Sequence, residues 1–230
     1  MYVIAEIGSN WIGNLDSALE IIDACKEAGA DAVKFQMWDA DMLYDGKNKE
    51  FQMDEYDMFM IMNHCKKQKI ICFATPSYPE AVDILEDLHV PMYKIASITS
   101  AQKHPKAEET MKKVAKTGKP VIISTGFGDK TGDIFKNSYT RNLRCVPEYP
   151  AQMDDYLKMK EEVEGISDHT IGTNLMYYTL FTERDHNKPM ILEKHVKIED
   201  NESPDSPFSL HTDELADFIT LSKSPFVNLG

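Results

Sequence analysis

The sequence has few cysteines, and they form no metal-binding or disulfide pattern. Only four occur among 230 residues, and no two are spaced as a Cys-X-X-Cys pair. All four lie inside apolar segments, at Cys25, Cys65, Cys72 and Cys145. This usage argues against a disulfide framework and against a structural zinc site. We expect buried, reduced thiols, as in a cytoplasmic protein.

Long apolar runs and a targeting signal are also missing. No stretch approaches the roughly eighteen consecutive apolar residues of a membrane span. The first residues, Met1-Tyr2-Val3-Ile4-Ala5-Glu6, contain no basic region and soon reach a carboxylate, unlike a secretory signal. We therefore predict a cytoplasmic protein without a membrane partner.

Basic residues are in the minority. The chain has 25 Lys and Arg against 38 Asp and Glu, a net charge of −13. This charge repels nucleic acid and anionic lipid, so neither is expected as a partner. Because hydrophobic residues reach 42% and charged residues 27%, a disordered or fibrous chain is excluded as well. An anionic small substrate would need lysine or arginine concentrated locally.

Short β-branched runs alternate with amphipathic stretches along the whole chain. Strands are predicted at residues 2–7, 32–36, 70–74, 92–96, 121–124, 142–146, 164–167 and 190–196. Helices are predicted at residues 15–28, 55–67, 79–88, 106–116, 132–138, 153–162, 171–181 and 212–222. The fifth helix is the weakest of these, because residues 126–141 have few apolar side chains and three glycines.

Strict alternation of strands and helices indicates parallel βαβ units, since a parallel return needs a crossover connection. At this length the pattern favours an α/β fold of the TIM (β/α)8 barrel type, with residues 1–230 as one domain. A doubly wound open sheet is the alternative.

Polar residues collect at the carboxyl ends of the predicted strands, where TIM barrels carry their function. In chain order they are Glu6, Lys34, Gln36, Thr75, Lys94, Ser97, Ser124, Thr125, Arg144, Ser167, Asp168, His169, Glu193 and His195. A lysine inside an apolar strand is costly without a partner or ligand. One explanation is that these residues satisfy each other, with Lys34 paired to Glu6 or Glu193. So many at one end of a barrel favour a functional site.

Two kinds of ligand fit these residue types. His169 and His195 end strands that are neighbours in a closed barrel, so both can reach one divalent ion such as Mn²⁺, Fe²⁺, Co²⁺ or Zn²⁺. The simpler alternative is a pair of hydrogen-bonded core imidazoles. Lys34 and Lys94 can form a phosphate or carboxylate cradle with nearby hydroxyls. The hydroxyls are those of Thr75, Ser97, Ser124 and Ser167.

Seven segments of the chain resemble the sialic acid synthase family. They occur in the family's order and cover nearly the whole sequence. The segments are AEIG at 5–8, AGADAVKFQ at 28–36, FATP at 73–76, YKIAS at 93–97, GKPVIISTG at 118–126, SDHT at 167–170 and EKH at 193–195.

The resemblance implies a TIM barrel with a defined reaction. The family condenses phosphoenolpyruvate with an N-acetylhexosamine aldehyde, such as N-acetylmannosamine, to a nonulosonic 3-deoxy-2-keto acid and phosphate. It uses a divalent metal, usually Mn²⁺. A non-catalytic module that binds phosphoenolpyruvate or sugar, and another metal-dependent barrel lyase or aldolase, remain as alternatives.

The resemblance also implies a role for each site residue. His169 and His195 would hold the metal, while Glu6 and Glu193 would position the attacking water and the aldehyde. Lys34 and Lys94 would offset the charge of phosphoenolpyruvate throughout the reaction. Thr75, Ser97, Ser124 and Ser167 would help to bind it, and Gln36, Tyr149 and Asp205 would contact the sugar.

Three departures from the family concern mainly the sugar. The family's Asn-His-Asn-Gly segment reads Asn10-Trp11-Ile12-Gly13, which replaces a histidine by an indole. The segment after the sixth strand reads Arg144-Cys145-Val146-Pro147, in which Arg144 could supply charge to the substrate. No counterpart of the family's C-terminal antifreeze-like domain is expected here. A homodimer or a separate partner chain is the expected replacement.

Overall fold

Eight parallel strands form a closed barrel, in a computed structural model that describes residues 1–159, 163–182 and 190–224. Each strand pairs with the next one in the chain, and the first pairs with the eighth. The strands are β1 (Tyr2–Glu6), β2 (Ala32–Met37), β3 (Ile71–Pro76), β4 (Tyr93–Ile95), β5 (Val121–Ser124), β6 (Thr140–Cys145), β7 (Gly165–Asp168) and β8 (Ile191–Lys197). A short β9 (Leu210–His211) pairs in parallel with the end of β8. The predicted TIM barrel is confirmed, and the open-sheet alternative is wrong.

Helices surround the barrel. They are α1 (Leu15–Glu27), α2 (Ala40–Tyr44), α3 (Glu55–Gln68), α4 (Pro79–Asp87), α5 (Ser97–Ser100), α6 (Ala107–Lys116), α7 (Met153–Lys158), α8 (Asn174–Thr182) and α9 (Thr212–Ser222). Five predicted helices agree within about one residue at each end, and α8 starts later than predicted. Residues 160–162 of the predicted helix 153–162 lie outside the described residues. None of the described helices is long and apolar enough to cross a bilayer.

The helix predicted at 132–138 is wrong, because this segment forms successive turns instead. Its backbone hydrogen bonds are short-range, from the Ile134 amide to the Thr131 carbonyl and from the Ser138 amide to the Phe135 carbonyl. Gly132 has a φ of +50°, a left-handed conformation that a helix cannot include. β5 and β6 are therefore joined by a loop.

Side chains that point into the barrel form two tiers. The lower tier is apolar and fully or almost fully buried: Ile4, Ala32, Phe73, Ile122, Leu143 and Ile191. Two residues further along the same six strands stand Glu6, Lys34, Thr75, Ser124, Cys145 and Glu193. Because side chains alternate along a strand, the upper tier faces the same interior. Burial of each large apolar side chain stabilises the folded chain by roughly 1.5–3 kcal/mol. This stabilisation offsets the cost of burying the polar tier above.

The four cysteines are free and buried, as the sequence predicted. Burial raises the pKa of the Cys25 thiol, so this side chain stays protonated. Burial also raises the pKa of Cys145, to about 11, and the neighbouring Lys94 ammonium only partly opposes this shift. Cys25, Cys65 and Cys72 are packing groups of the hydrophobic core, whereas Cys145 belongs to the upper tier.

Candidate active site

The upper tier opens into a cavity of about 350 Å³ at the carboxyl ends of the strands. Of the fourteen residues given a role in the predicted site, all except Glu6 and Arg144 line this cavity. They come from strands β2, β3, β4, β5, β7 and β8 and from the segments that directly follow β4, β6, β7 and β8. The barrel thus brings together residues that lie as far apart in the chain as Lys34 and Asp205.

Lys34 lies at the floor of the cavity between two carboxylates. Its ammonium forms a close ion pair with Glu6 and lies 3.8 Å from Oε2 of Glu193. It also donates to Oγ1 of Thr75 at 3.0 Å. Burial alone would lower the pKa of Lys34, but Glu193 and Glu6 raise it above its ordinary value. The ion pair inferred from the sequence exists with both carboxylates, and Lys34 is charged.

Lys94 completes the charged floor. Its ammonium donates to Oγ of Ser124 at 2.7 Å and lies 3.6 Å from Oε1 of Glu193. The same Oε1 accepts a hydrogen bond from Ser167 at 2.7 Å. Burial would raise the pKa of Glu193, but Lys34 and Lys94 lower it to about 2. Glu193 is therefore an ionised carboxylate held between two ammonium groups.

His169 is a neutral imidazole, and its hydrogen-bond partner shows which ring nitrogen carries the proton. Its Nδ1 lies 2.8 Å from the carbonyl oxygen of Val146, which can only accept, so Nδ1 carries the proton. Burial, with a contribution from His195, lowers the pKa of His169 to about 3. The lone pair therefore lies on Nε2, whose nearest hydrogen-bonding neighbour is Oγ of Ser167 at 3.4 Å.

His195 lies beside His169, with ring centroids 5.7 Å apart. Its Nδ1 is 3.5 Å from Oδ2 of Asp205. Burial opposes the charged form, but Asp205 raises the pKa of His195 above its ordinary value. Within residues 1–159, 163–182 and 190–224, no three His, Cys, Asp or Glu side chains form a metal-binding cluster. A metal at this point would have two imidazole ligands.

Asp205 is tied to the first loop of the barrel. Its Oδ2 accepts a hydrogen bond from the Ser9 amide at 2.7 Å. A Cβ atom at Gly8 would collide with this carboxylate, so glycine is needed there for close approach. Burial would raise the pKa of Asp205, but His195 and Ser9 lower it to about 2. Asp205 lines the cavity and also orients His195.

The outer wall of the cavity is aromatic. The Tyr149 ring lies 4.4 Å from His169 and 5.4 Å from Phe208, measured between centroids. Trp38 and Tyr44 form an edge-on pair at 5.0 Å. Of these aromatic residues the sequence reasoning identified only Tyr149. The one available signal for the others was their place in segments that follow barrel strands.

Three residues singled out from the sequence lie away from the cavity surface. Arg144 is not in the lining, because it alternates with Leu143 and Cys145, which face the interior. Glu6 is fully buried and contacts Lys34. Trp11 packs into the hydrophobic core, where its indole N–H donates to the Phe51 carbonyl at 3.1 Å. The indole therefore does not border the cavity.

Comparisons with known proteins identify the family of this chain. The chain matches the NeuB family over residues 21–230. It is 31% identical to a pseudaminic acid synthase of Campylobacter jejuni, over all of this chain and 75% of that protein. It is 27% identical to the human N-acetylneuraminate-9-phosphate synthase, over 95% of this chain and 68% of that protein.

A solved structure resembles the whole barrel. The N-acetylneuraminic acid synthetase of Leptospira borgpetersenii, in complex with citrate, superimposes with a TM-score of 0.83. The two chains share 26% identity, over 96% of this chain and 82% of the other. Together, the profile match over nearly all residues and these relatives establish that this chain belongs to the NeuB family.

Proposed function

We propose that this protein is a carbon–carbon bond-forming synthase that joins phosphoenolpyruvate to an N-acetylated aldose. The product would be a sialic-type 3-deoxy-2-keto acid, with release of phosphate. One observation carries the proposal: Lys34 and Lys94 lie on either side of the ionised Glu193 at the floor of the cavity. The synthase names of the NeuB relatives support it.

Phosphoenolpyruvate would bind at the two lysines. Its phosphate and carboxylate are acceptors for ammonium groups and for the hydroxyls of Thr75 and Ser124, which already contact these lysines. Hydrogen bonds to charged groups contribute about 1.5–3 kcal/mol each. Because Glu6 and Glu193 hold both lysines in place beforehand, little side-chain entropy is lost on binding.

The proposed reaction needs only water in addition to phosphoenolpyruvate and the aldose. Carbon three of phosphoenolpyruvate forms a bond to the aldehyde carbon, and carbon two then takes water. The tetrahedral intermediate breaks its C–O bond to phosphate, which leaves with the electron pair. One proton of the water ends on the former aldehyde oxygen, and the other leaves with phosphate. Glu193 would orient the water by accepting its hydrogen bond, since its pKa of about 2 keeps it ionised.

His169 and His195 fit the divalent ion that the family resemblance implies, with Mn²⁺ as the expected metal. Donation of Nδ1–H to the Val146 carbonyl leaves Nε2 of His169 as a free lone pair, the usual arrangement of a metal-binding imidazole. Its lowered pKa keeps His169 in the neutral form that binds metal. When bound, such an ion would supply Lewis-acid polarisation of the aldehyde.

The aromatic wall would hold the sugar. Tyr149 and Phe208 present ring faces and edges to the cavity above the charged floor. Aromatic rings contact apolar sugar faces and acetyl methyl groups favourably. Gln36, whose side chain donates to Glu6 at 3.1 Å, stands at the junction of floor and wall. An N-acetylated aldose with few charges suits this surface.

Two further proposals concern the compartment and the assembly state. Four buried free thiols suit a reducing compartment, which supports the cytoplasm. The homodimer or partner chain expected from the resemblance stays a prediction, and analytical ultracentrifugation with and without substrates would test it.

Release of inorganic phosphate tests the proposed reaction. The purified chain is incubated with Mn²⁺, phosphoenolpyruvate and a panel of aldoses that includes N-acetylmannosamine. We expect release that depends on the sugar, is lost in His195→Ala and persists in His64→Ala. His64 is a suitable control because it pairs with Asp23 at 2.6 Å, away from the cavity lining. No release with any sugar, despite bound phosphoenolpyruvate, would identify a binding module instead.

A further inference from the structure

An ion pair is buried in the barrel wall behind the two imidazoles. Asp168 on β7 and Lys194 on β8 are both fully buried, and Nζ of Lys194 lies 3.2 Å from Oδ2 of Asp168. The two residues are direct register partners in the parallel pairing of β7 with β8. The ion pair therefore joins the two strands at one defined level.

The ion pair is adjacent in sequence to the two imidazoles. Asp168 immediately precedes His169, and Lys194 immediately precedes His195. Because side chains alternate along a strand, the ion pair faces the outside of the barrel while both imidazoles face the cavity. The cavity lining includes His169 and His195 but neither member of the ion pair. Each charged side chain is thus one residue away from an imidazole and on the opposite side of the wall.

The same pair holds the backbone after His169. Oδ1 of Asp168 accepts hydrogen bonds from both the amide and the hydroxyl of Thr170, each at 2.7 Å. Nζ of Lys194 donates to the carbonyl oxygen of Thr170. The residue between these contacts is His169, so the peptide units on its carboxyl side are fixed by β8 as well as β7.

Stability alone is a poor explanation for this pair. A buried ion pair costs desolvation of both groups, and replacement by apolar residues is often neutral or stabilising. The strands are already joined by their backbone pairing. What the pair adds is a directional link between the segments that carry the two imidazoles.

We propose that Asp168 and Lys194 are positioning residues that fix the relative placement of His169 and His195. The observed placement is a centroid separation of 5.7 Å with ring planes at 64°. The inference rests on the proposed function in one respect, that these imidazoles bind the metal. Neither residue lines the cavity, so both act through the imidazoles.

Metal affinity of a variant without the charges tests the proposal. The double variant Asp168→Asn/Lys194→Met removes both charges together, so that no buried charge is left unpaired, and Asn keeps an oxygen for Thr170. Mn²⁺ binding is measured from the free-ion signal in electron paramagnetic resonance. We expect affinity to fall about 10–100-fold, as for other groups that orient metal ligands, while the protein stays folded.

A matched control carries the same change elsewhere. Glu86→Gln/Lys119→Met removes the ion pair that Lys119 forms with Glu86, away from the cavity lining, and should leave Mn²⁺ affinity unchanged. The conservative variant Lys194→Arg, with Asp168 unchanged, keeps a charged donor. A Mn²⁺ affinity above that of the double variant would support positioning by a charged donor. Unchanged affinity in the folded Asp168→Asn/Lys194→Met variant would overturn the proposal.

A second measurement needs neither metal nor turnover. In ¹⁵N-histidine-labelled protein, nitrogen chemical shifts report which imidazole nitrogen carries the proton. The wild type should show His169 protonated at Nδ1, and the double variant should show a mixture of tautomers. If the wild type binds no Mn²⁺, the metal assignment fails and this spectrum decides the positioning role. An identical spectrum in the variant then refutes that role.

Discussion

Replacement of Tyr156 by phenylalanine would remove one oxygen atom and two buried hydrogen bonds. Tyr156 is fully buried on α7, and its hydroxyl donates to the Ser167 carbonyl at 2.6 Å. The same oxygen accepts a hydrogen bond from the His169 amide at 3.0 Å. One side chain therefore bridges the two backbone groups on either side of Asp168.

The expected cost follows from those two bonds. Phenylalanine fills the same volume, so no cavity forms, but the Ser167 carbonyl and the His169 amide both lose a partner. A buried polar group left without its hydrogen bond costs about 1–3 kcal/mol. Two such groups sum to about 2–6 kcal/mol, and because single substitutions rarely exceed about 4 kcal/mol, we expect a loss of about 2–4 kcal/mol in the free energy of unfolding. For a chain of this size this corresponds to a decrease of roughly 5–15 °C in Tm.

Urea-induced unfolding, followed by circular dichroism, measures this loss. Tyr139→Phe is the matched control, because its hydroxyl accepts from Arg141 while the Tyr139 side chain is 61% exposed. Surface changes of this kind alter stability by about 0.5 kcal/mol or less. If Tyr156→Phe also stays within about 0.5 kcal/mol of the wild type, the bridging role of the hydroxyl is refuted.

Three further predictions concern the floor of the cavity, acid stability and the first loop. Lys94→Met should weaken phosphoenolpyruvate binding about 10–150-fold in calorimetry, since one charged hydrogen-bond donor is lost. Burial lowers the pKa of His104 below 6.5, so the unfolded chain takes up its proton first as the pH falls. The stability advantage of the wild type over His104→Gln should therefore shrink from pH 7 to pH 5 in urea titrations. Gly8→Ala should destabilise the chain more than Gly118→Ala, because both glycines have positive φ but only at Gly8 would the new Cβ collide with Asp205.

Each of these predictions has a contradicting result. Unchanged phosphoenolpyruvate affinity in Lys94→Met would show that the Lys94 ammonium does not bind this substrate. Parallel stability curves for the wild type and His104→Gln across the pH range would show that His104 titrates alike in both states. Equal losses in the two glycine variants would mean that backbone strain, and not the close approach to Asp205, decides the cost.

The barrel and its polar tier could be predicted because both depend on local sequence. An apolar residue followed two positions later by a polar one, as in Ile4 and Glu6 or Ile191 and Glu193, indicates a barrel strand whose carboxyl end contributes a polar side chain to the site. Parallel topology then brings the strand ends together without further information. This is why most of the predicted site residues line one cavity.

Residues missed by the sequence reasoning depend on contacts between distant segments. Tyr156 reads as an ordinary helix residue, and its role follows only from the docking of α7 against β7. Asp205 could be assigned to the sugar by resemblance, but its hydrogen bond to Ser9 joins residues 196 positions apart. The wrong helix at 132–138 had a local cause, because glycine and few apolar side chains cannot support a packed helical face.

Closure of the barrel between β1 and β8 has a consequence for the nascent chain. Glu6 lies on the first strand, whereas Glu193 and His195 lie on the eighth strand and Asp205 follows it. Until the eighth strand has been synthesised, Lys34 lacks Glu193 as an ion-pair partner and His169 lacks the neighbouring ring of His195. Under the proposed function, substrate and metal would therefore bind only after the eighth strand has been synthesised.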